Sequence, residues 1–307
     1  MARPSDTSAS DIPRQRWIDR YVPGAWRPYL RLARIDRPIG TWLLLFPCWW
    51  GIAAASEKWP SPWLLLLFAV GAIVMRGAGC TYNDIVDRDF DARVARTADR
   101  PLPSGELSLR QAIGFLAAQL VLGLLILLAL NRTVIALGVL SLALVFTYPL
   151  MKRVTWWPQF FLGLAFNWGA LMGYAAVSDE LALPAALIYI AGILWTLGYD
   201  TIYAHQDKDD DALLGIKSSA LRLGPRTRSA LYAFYAGAVV FLAGAGVSAG
   251  LGWFYFVMIA LGATQLFWQA SGVDLDRPAD CLAKFKSNRL FGWLVLAGLV
   301  GGRLMSN

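Results

Sequence analysis

Long apolar segments separated by short polar joints make up most of this chain. Helices of such length can cross about 30 Å of hydrocarbon, and lipid cannot satisfy the backbone groups of an open strand. Joints as short as Asn131-Arg132 and Gly250 indicate antiparallel hairpins. We expect an all-α, polytopic integral membrane protein whose helices surround a central cavity. The pattern predicts nine transmembrane helices, at residues 39–55, 62–82, 111–130, 132–150, 156–177, 182–203, 228–248, 251–270 and 289–305.

Composition and charge sharpen this picture. Hydrophobic residues form 57% of the 307 positions and charged residues only 16%, which is far from an ordinary soluble domain. All but four of the 28 Lys and Arg residues fall on one side of the predicted membrane, the exceptions being Lys58, Arg76, Arg132 and Arg303. Basic residues stay in the cytoplasm, so we expect a cytoplasmic N-terminus and an external C-terminus. The net charge of +7 then reflects topology and attraction to anionic lipid, with no nucleic-acid partner.

The beginning of the chain differs from the rest. Residues 1–25 are polar and contain no apolar segment of the kind found in a signal peptide, so they are expected to form a mobile tail. Residues 26–307 are expected to form a single transmembrane domain. The three cysteines, Cys48, Cys80 and Cys281, lack the spacing of a metal site, which favours a packing role.

Two acidic clusters each follow an apolar segment at the predicted cytoplasmic side. Helical spacing puts Asn83, Asp87 and Asp91 on one face, and Asp207 and Asp211 on another. Like charges this close would repel one another without a counter-cation. Mg²⁺ prefers carboxylate and phosphate oxygens and keeps part of its water shell, so two facing clusters could hold a diphosphate through shared Mg²⁺ ions. The alternative is a pair of solvated acidic loops.

Basic residues near these clusters are candidates for binding an anionic substrate. Arg96 and Arg100 are four residues apart and could bind phosphate oxygens bidentately, or else anchor to lipid headgroups. Arg76 stands inside the second span, where a charge is costly unless it is paired or lines a polar cavity. Tyr148 and Lys152 end the fourth span and could point into the cavity, although Tyr and Lys also form ordinary interfacial belts. His205 is the only histidine, and its role stays open.

Several motifs together resemble the UbiA superfamily of intramembrane aromatic prenyltransferases, and the resemblance covers nearly the whole chain after the tail. The residues around the acidic clusters favour the hydroxybenzoate branch of this superfamily. The motifs are Arg34-Ile35-Asp36-Arg37-Pro38-Ile39-Gly40, Met75 through Cys80, Asn83 through Asp91, Arg96 through Gly105, and Tyr199 through Asp211 with Gly215-Ile216-Lys217-Ser218.

The resemblance implies roles for individual residues. Asn83, Asp87 and Asp91 would form the first Mg²⁺-diphosphate motif, and Asp207 and Asp211 the second. The resemblance also implies that Arg37, Arg96, Arg100 and Lys152 contact diphosphate or close the site. Arg76, Tyr148 and Arg153 would be the candidates for handling the aromatic acceptor.

The expected reaction is transfer of a polyprenyl group from polyprenyl diphosphate to 4-hydroxybenzoate, a step of ubiquinone synthesis, with Mg²⁺ as cofactor. The expected place is the inner membrane of a bacterial cell, with the site facing the cytoplasm, and no protein partner is evident. One alternative is a superfamily member that acts on another aromatic or quinone-precursor acceptor. An ion-coupled transporter is a further alternative, but its charges should lie near mid-membrane, whereas the charges of this chain cluster at one face. A lipid-linked phosphotransferase should carry an Asp-Gly-x-x-Ala-Arg signature, which this sequence lacks.

Overall fold

A computed structural model describes residues 17–92 and 97–306, and these residues form helices and no strands. Two 3₁₀ turns lie at Gly24–Trp26 and Gly224–Arg226. The helices are α1 (Trp17–Tyr21), α2 (Arg27–Leu32), α3 (Ile39–Ala55), α4 (Pro62–Asp91), α5 (Leu109–Leu128), α6 (Arg132–Val154), α7 (Pro158–Ser178), α8 (Leu183–Ala204), α9 (Lys208–Leu214), α10 (Ser219–Leu223), α11 (Thr227–Ser248), α12 (Trp253–Gly272) and α13 (Pro278–Leu304).

The prediction of a multi-pass, all-helical membrane protein is confirmed. Within the described ranges, six helical segments are long and apolar enough to cross a membrane, and α3 is a shorter apolar helix. The six segments are Pro62–Asp89, Leu109–Leu128, Arg132–Val154, Pro158–Ser178, Leu183–Ala204 and Ser219–Ser248. The count of nine spans and the orientation of the N-terminus stay predictions.

Local sequence explains where several helices begin. Ser108 caps α5 by accepting a hydrogen bond from the Gln111 backbone N–H, and the Gln111 side chain accepts one from the Ser108 backbone. This is a capping box, which satisfies two N–H groups that the helix itself leaves unpaired. Asn131 caps α6 in the same sense, with its Oδ1 accepting from the Val134 N–H at 2.9 Å. The Asn131 side chain also donates from Nδ2 to the Ala175 carbonyl at 2.7 Å, which ties the short joint between α5 and α6 to α7.

The N-terminal segment enters the fold before the first long helix. The described part of the predicted 1–25 tail contains α1, whose Ile18 is fully buried. Residues 1–16 lie outside the described residues. The boundary at residue 26 stays a prediction.

Helices α3 and α7 pack backbone against backbone. A Cβ added at Gly51 would collide with the Ala170 carbonyl, and one added at Gly173 would collide with the Cys48 carbonyl. A Cβ added at Gly169 would collide with the Cys48 side-chain sulfur. Small residues that let two helices approach closely are a common way to join helices in membranes. We call this contact, formed by Cys48, Gly51, Gly169, Ala170 and Gly173, the glycine seam.

Aromatic residues fill the core where α3, α8 and α13 meet. Trp50 donates from Nε1 to the Gly292 carbonyl at 3.0 Å, and Trp195 donates from Nε1 to Asn288 Oδ1 at 2.8 Å. Both indoles are 1% exposed, so each buried N–H has the partner that its burial requires. These bonds connect α13 to the two helices that border the cavity.

A cavity of about 890 Å³ opens between the helices. Its apolar lining comes from the middle of α3 to α7 and includes Leu44, Phe68, Leu120, Leu142 and Met172. Its polar lining comes from the turn before α3, the second half of α4, the segment after α4, α6, the end of α8 and the first half of α13. The predicted central cavity is thus present, and it combines an ionic part with a long apolar part.

Candidate active site

The first acidic cluster lies on the last three turns of α4, as its helical spacing predicts. Asp84 and Asp87 are fully buried, and Asp91 is 9% exposed. Asn83 is half-buried and lines the cavity. Buried carboxylates are stable only when they are paired or hydrogen-bonded, so their partners define the site.

Two arginines from outside α4 neutralise Asp84 and Asp91. Arg34 donates from Nη2 to Asp84 Oδ1 at 2.7 Å. Arg100 bridges the two acids, with its Nη1 at 3.2 Å from Asp84 Oδ1 and 2.5 Å from Asp91 Oδ2. Arg34 has a positive φ of 57°, a backbone conformation that costs energy for a residue with a side chain. This turn between α2 and α3 brings the guanidinium to Asp84.

The end of α6 supplies the partners of Asp87. Lys152 Nζ forms an ion pair with Asp87 Oδ2, and Arg153 Nη2 lies 3.2 Å from Asp87 Oδ1. Both oxygens of this buried carboxylate are therefore engaged by cations. Lys152 and Arg153 do not belong to the described cavity lining, so their predicted contact with substrate stays a prediction.

The second acidic cluster lies beside the same end of α6. Asp207 is the residue that precedes α9, Asp211 lies one turn into it, and both are half-buried. The segment after α9 docks on α6 through Lys217, whose N–H donates to the Lys152 carbonyl at 2.9 Å. Lys217 Nζ also donates to the Val154 carbonyl at 3.1 Å. Lys152, which binds Asp87, is thus bonded to the segment that follows Asp207 and Asp211.

Five of the predicted binding residues line the cavity. They are Arg37, Arg76, Asn83, Arg100 and Tyr148. Arg96 lies outside the described residues. Sequence reasoning missed further charged groups in the lining, namely Arg34, Asp36, Asp200, Lys286 and Arg289. Arg34, Asp36 and Asp200 belong to the motifs quoted above, whereas Lys286 and Arg289 had been counted only as basic residues at a membrane edge.

Arg76 stands apart from the ion-pair cluster. Its Nη1 donates to Cys80 Sγ, and its guanidinium carbon lies 5.6 Å from the centre of the Phe166 ring. It also interacts electrostatically with Asp200 and Tyr148. Among the described residues, its Nε is buried without a hydrogen-bond acceptor. An intramembrane guanidinium held mainly by weak partners is suited to bind an anionic group that enters the cavity.

The donor atoms fit a hard divalent cation that is shared with a substrate. Within the described part of the chain, no three Asp, Glu, His or Cys side chains are close enough to hold a metal alone. Mg²⁺ does not need such a cage, because it is usually bound by one or two carboxylates, water and substrate phosphate. Asp84 Oδ2 is buried and has no partner among the described residues. Asn83, Asp87 and Asp91 supply further oxygens on the same helix.

His205 lies just after α8 and is bonded to α11. Its Nε2 is 3.2 Å from Thr227 Oγ1, and the residue is 6% exposed. Burial lowers the pKa of His205 to about 4, and the positive charge of Lys208 acts in the same direction. The imidazole is therefore neutral at pH 7, which suits a structural hydrogen bond.

Fold and site together define a class of protein. A helical membrane bundle holds a cavity whose charged part can bind an anionic headgroup and whose apolar part can hold a long hydrocarbon chain. The particular family follows from sequence comparison. The sequence profile of the UbiA prenyltransferase family matches residues 44–295, and the chain belongs to this family.

Relatives and solved structures agree with this assignment. The chain is 52% identical over 290 residues to the mitochondrial 4-hydroxybenzoate polyprenyltransferase of Arabidopsis thaliana, covering 94% of this chain and 71% of that protein. It is 49% identical to the human protein of the same name, covering 92% and 77%. The structure of a UbiA homolog from Aeropyrum pernix K1 matches with a TM-score of 0.74 and 30% identity, covering 85% of this chain and 97% of that one.

A more distant structure shares the fold. A UbiA homolog from Archaeoglobus fulgidus, solved with GPP and Mg²⁺, matches with a TM-score of 0.65 and 20% identity, covering 88% of this chain and 99% of that one.

Proposed function

We propose that this protein transfers a polyprenyl group from a polyprenyl diphosphate to a ring carbon of 4-hydroxybenzoate. The cavity is the main observation behind this proposal. Its cationic part suits the diphosphate of an isoprenoid diphosphate, and its apolar part suits the isoprenoid chain. Among the residues that the structure describes, six basic side chains line it, namely Arg34, Arg37, Arg76, Arg100, Lys286 and Arg289. The names of the 50%-identical relatives support the choice of acceptor.

Charge neutralisation drives departure of the diphosphate. Negative charge grows on the leaving oxygen as the C–O bond breaks, and fixed cations lower the energy of that state. Arg37 and Arg100 are placed to do this from the cavity wall, and Arg96 and Lys152 are proposed to assist. Mg²⁺, when bound, would neutralise further charge on the same oxygens. Its proposed ligands are Asn83, Asp87, Asp91, Asp207 and Asp211.

The allylic cation that remains must meet the acceptor before water. The cavity surrounds it with aromatic rings, including those of Trp42, Phe166 and Tyr199. Ring faces attract cations and do not react with them as water does. The apolar part of the cavity keeps water out and holds the rest of the prenyl chain.

Arg76 is the proposed partner of the acceptor carboxylate, with Tyr148 beside it. Arg153 is a weaker candidate for this role, because it is already bonded to Asp87 and to the Val86 carbonyl. The new bond forms between the prenyl C1 and a ring carbon. The ring then loses one proton, which an Asp or the released diphosphate accepts.

The proposed location is the inner membrane of a bacterial cell, with the ionic part of the cavity facing the cytoplasm. The distribution of Lys and Arg supports this orientation. The relatives named above are mitochondrial proteins. A single transmembrane domain at residues 26–307 and no need for a protein partner complete the proposal.

Product analysis tests the proposed function directly. The purified protein is incubated with Mg²⁺, a polyprenyl diphosphate and an equimolar mixture of aromatic acids and quinone precursors, and the products are identified by mass spectrometry. We expect prenylated 4-hydroxybenzoate as the main product. Another main product would replace the acceptor, and no prenylated product would overturn the proposal.

A matched pair of variants tests the site. Asp87→Asn keeps the shape of a buried side chain whose two oxygens are bound by Lys152 and Arg153, and turnover should fall by orders of magnitude. Asp89→Asn changes an exposed carboxylate in the same cluster, which pairs with its neighbour Arg88, and turnover should change less than twofold. Equal turnover in the two variants would reject the assignment of Asp87.

A further inference from the structure

Gly40 lies against the guanidinium of Arg76. It is the second residue of α3, and a Cβ built on it would lie 2.5 Å from Arg76 Nε, 2.8 Å from Nη2 and 3.0 Å from Cζ. Real Cβ atoms essentially never approach heavy atoms this closely. The guanidinium therefore occupies the space that any other amino acid would fill at this position.

Two other contacts hold the Arg76 guanidinium in the orientation that it has beside Gly40. Phe166 of α7 covers it at 5.6 Å from the ring centre, and Cys80 accepts from its Nη1. Gly40 has no positive φ, so backbone conformation does not explain a glycine here. Close approach to Arg76 does.

We infer that Gly40 is a positioning residue for acceptor binding, since it gives Arg76 the one rotamer in which its guanidinium can meet the acceptor carboxylate. This inference rests on the proposed function. Arg is a planar fork, and its carboxylate contacts depend on orientation more than those of the point charge of Lys. A methyl group at position 40 would rotate the planar Arg76 guanidinium out of this orientation but leave its positive charge in the cavity.

Gly40→Ala should therefore raise the dissociation constant and the KM for 4-hydroxybenzoate about tenfold, as expected for one misaligned charge-assisted hydrogen bond. The KM for the prenyl diphosphate should change less than twofold. The variant should fold, because the atoms that the methyl meets are the far end of a flexible side chain. Gly114→Ala is the control, since a Cβ there in α5 meets nothing within 4 Å.

A double-mutant cycle distinguishes positioning from a general packing defect. Acceptor binding is measured by titration calorimetry, without turnover, for wild type, Gly40→Ala, Arg76→Lys and the double variant. If Gly40 acts through Arg76, adding Gly40→Ala to Arg76→Lys should weaken binding less than twofold. If Gly40 has only a structural role, the tenfold loss should recur in the Arg76→Lys background, and the inference is overturned.

The same samples separate this inference from the proposed function. If the wild type binds and prenylates 4-hydroxybenzoate but the double-mutant cycle is additive, only the role of Gly40 is refuted. Wild type that neither binds nor prenylates 4-hydroxybenzoate refutes the proposed function, and with it the inference.

Discussion

Replacing Arg100 should lower the free energy of unfolding, because it breaks the ion-pair cluster formed by Arg34, Asp84, Asp91 and Arg100. Among the described residues, the Arg100 guanidinium is the cation that contacts Asp91, and it also contacts Asp84, which keeps Arg34 as a second partner. The Arg100 and Asp91 side chains are only 16% and 12% exposed. Arg100→Met fills a similar volume but leaves Asp91 as a mostly buried charge without the Arg100 guanidinium. Breaking such a pair destabilises proteins by about 3 kcal/mol, roughly two orders of magnitude in the ratio of folded to unfolded molecules.

The assay is unfolding of the purified protein by sodium dodecyl sulfate in mixed micelles, with prenyl transfer measured on the same preparations. Adding Asp91→Asn to Arg100→Met removes the uncompensated charge and should restore most of the stability. It should not restore transfer, because Arg100 lines the cavity and is proposed to contact diphosphate. Arg88→Met is the control, since Arg88 is 45% exposed and paired with an exposed acid. A stable Arg100→Met protein, or a double variant no more stable than the single one, would refute this account of the cluster.

Three further predictions concern the scaffold. Gly173→Ala should prevent folding, because its Cβ would meet the Cys48 backbone, whereas Gly244→Ala should be tolerated with its nearest contact at 3.7 Å. The yield of monodisperse protein in detergent is compared for the two variants, and equal yields would contradict this prediction. Arg303→Met should lower unfolding stability by about 2 kcal/mol, because Arg303 donates to the Ala54 and Ala249 carbonyls, while activity at low temperature stays normal. Stability should fall as the pH drops from 6.5 toward 4, because unfolded His205 binds a proton that the folded protein excludes; in His205→Gln the fall should be smaller, and identical pH profiles would contradict this reading.

Helical periodicity predicted the parts of the site that lie on one helix. The spacing of Asn83, Asp87 and Asp91 required a helix that continues past the apolar span, and α4 does continue to Asp91. The capping box at Ser108 and Gln111 likewise joins residues three positions apart. In both cases the signal is local, because it depends on residues three or four positions apart.

Tertiary pairing could not be predicted in the same way. The contacts of Asp87 with Lys152 and Arg153 join residues more than 60 positions apart, and no local pattern encodes them. The predicted last span began at residue 289, whereas α13 begins at Pro278. Its first turns contain several charges, so an apolar pattern does not reveal them. Lys286 lies in this stretch and Arg289 at its end, which is why both were missed as cavity residues.

The glycine seam also determines which walls of the cavity can move. Helices that touch through their backbones at Gly51 and Gly173 cannot slide past each other without losing that contact. Gly40 stands at the start of one of these helices, and Phe166 lies one turn from Gly169 on the other, so the two surfaces around Arg76 keep a fixed spacing. The cavity sides of α5 and α6, which lie outside the glycine seam, carry flexible Leu and Ile side chains. We therefore expect the widening that admits a long lipid to occur there, while α3 and α7 keep a fixed wall beside Arg76.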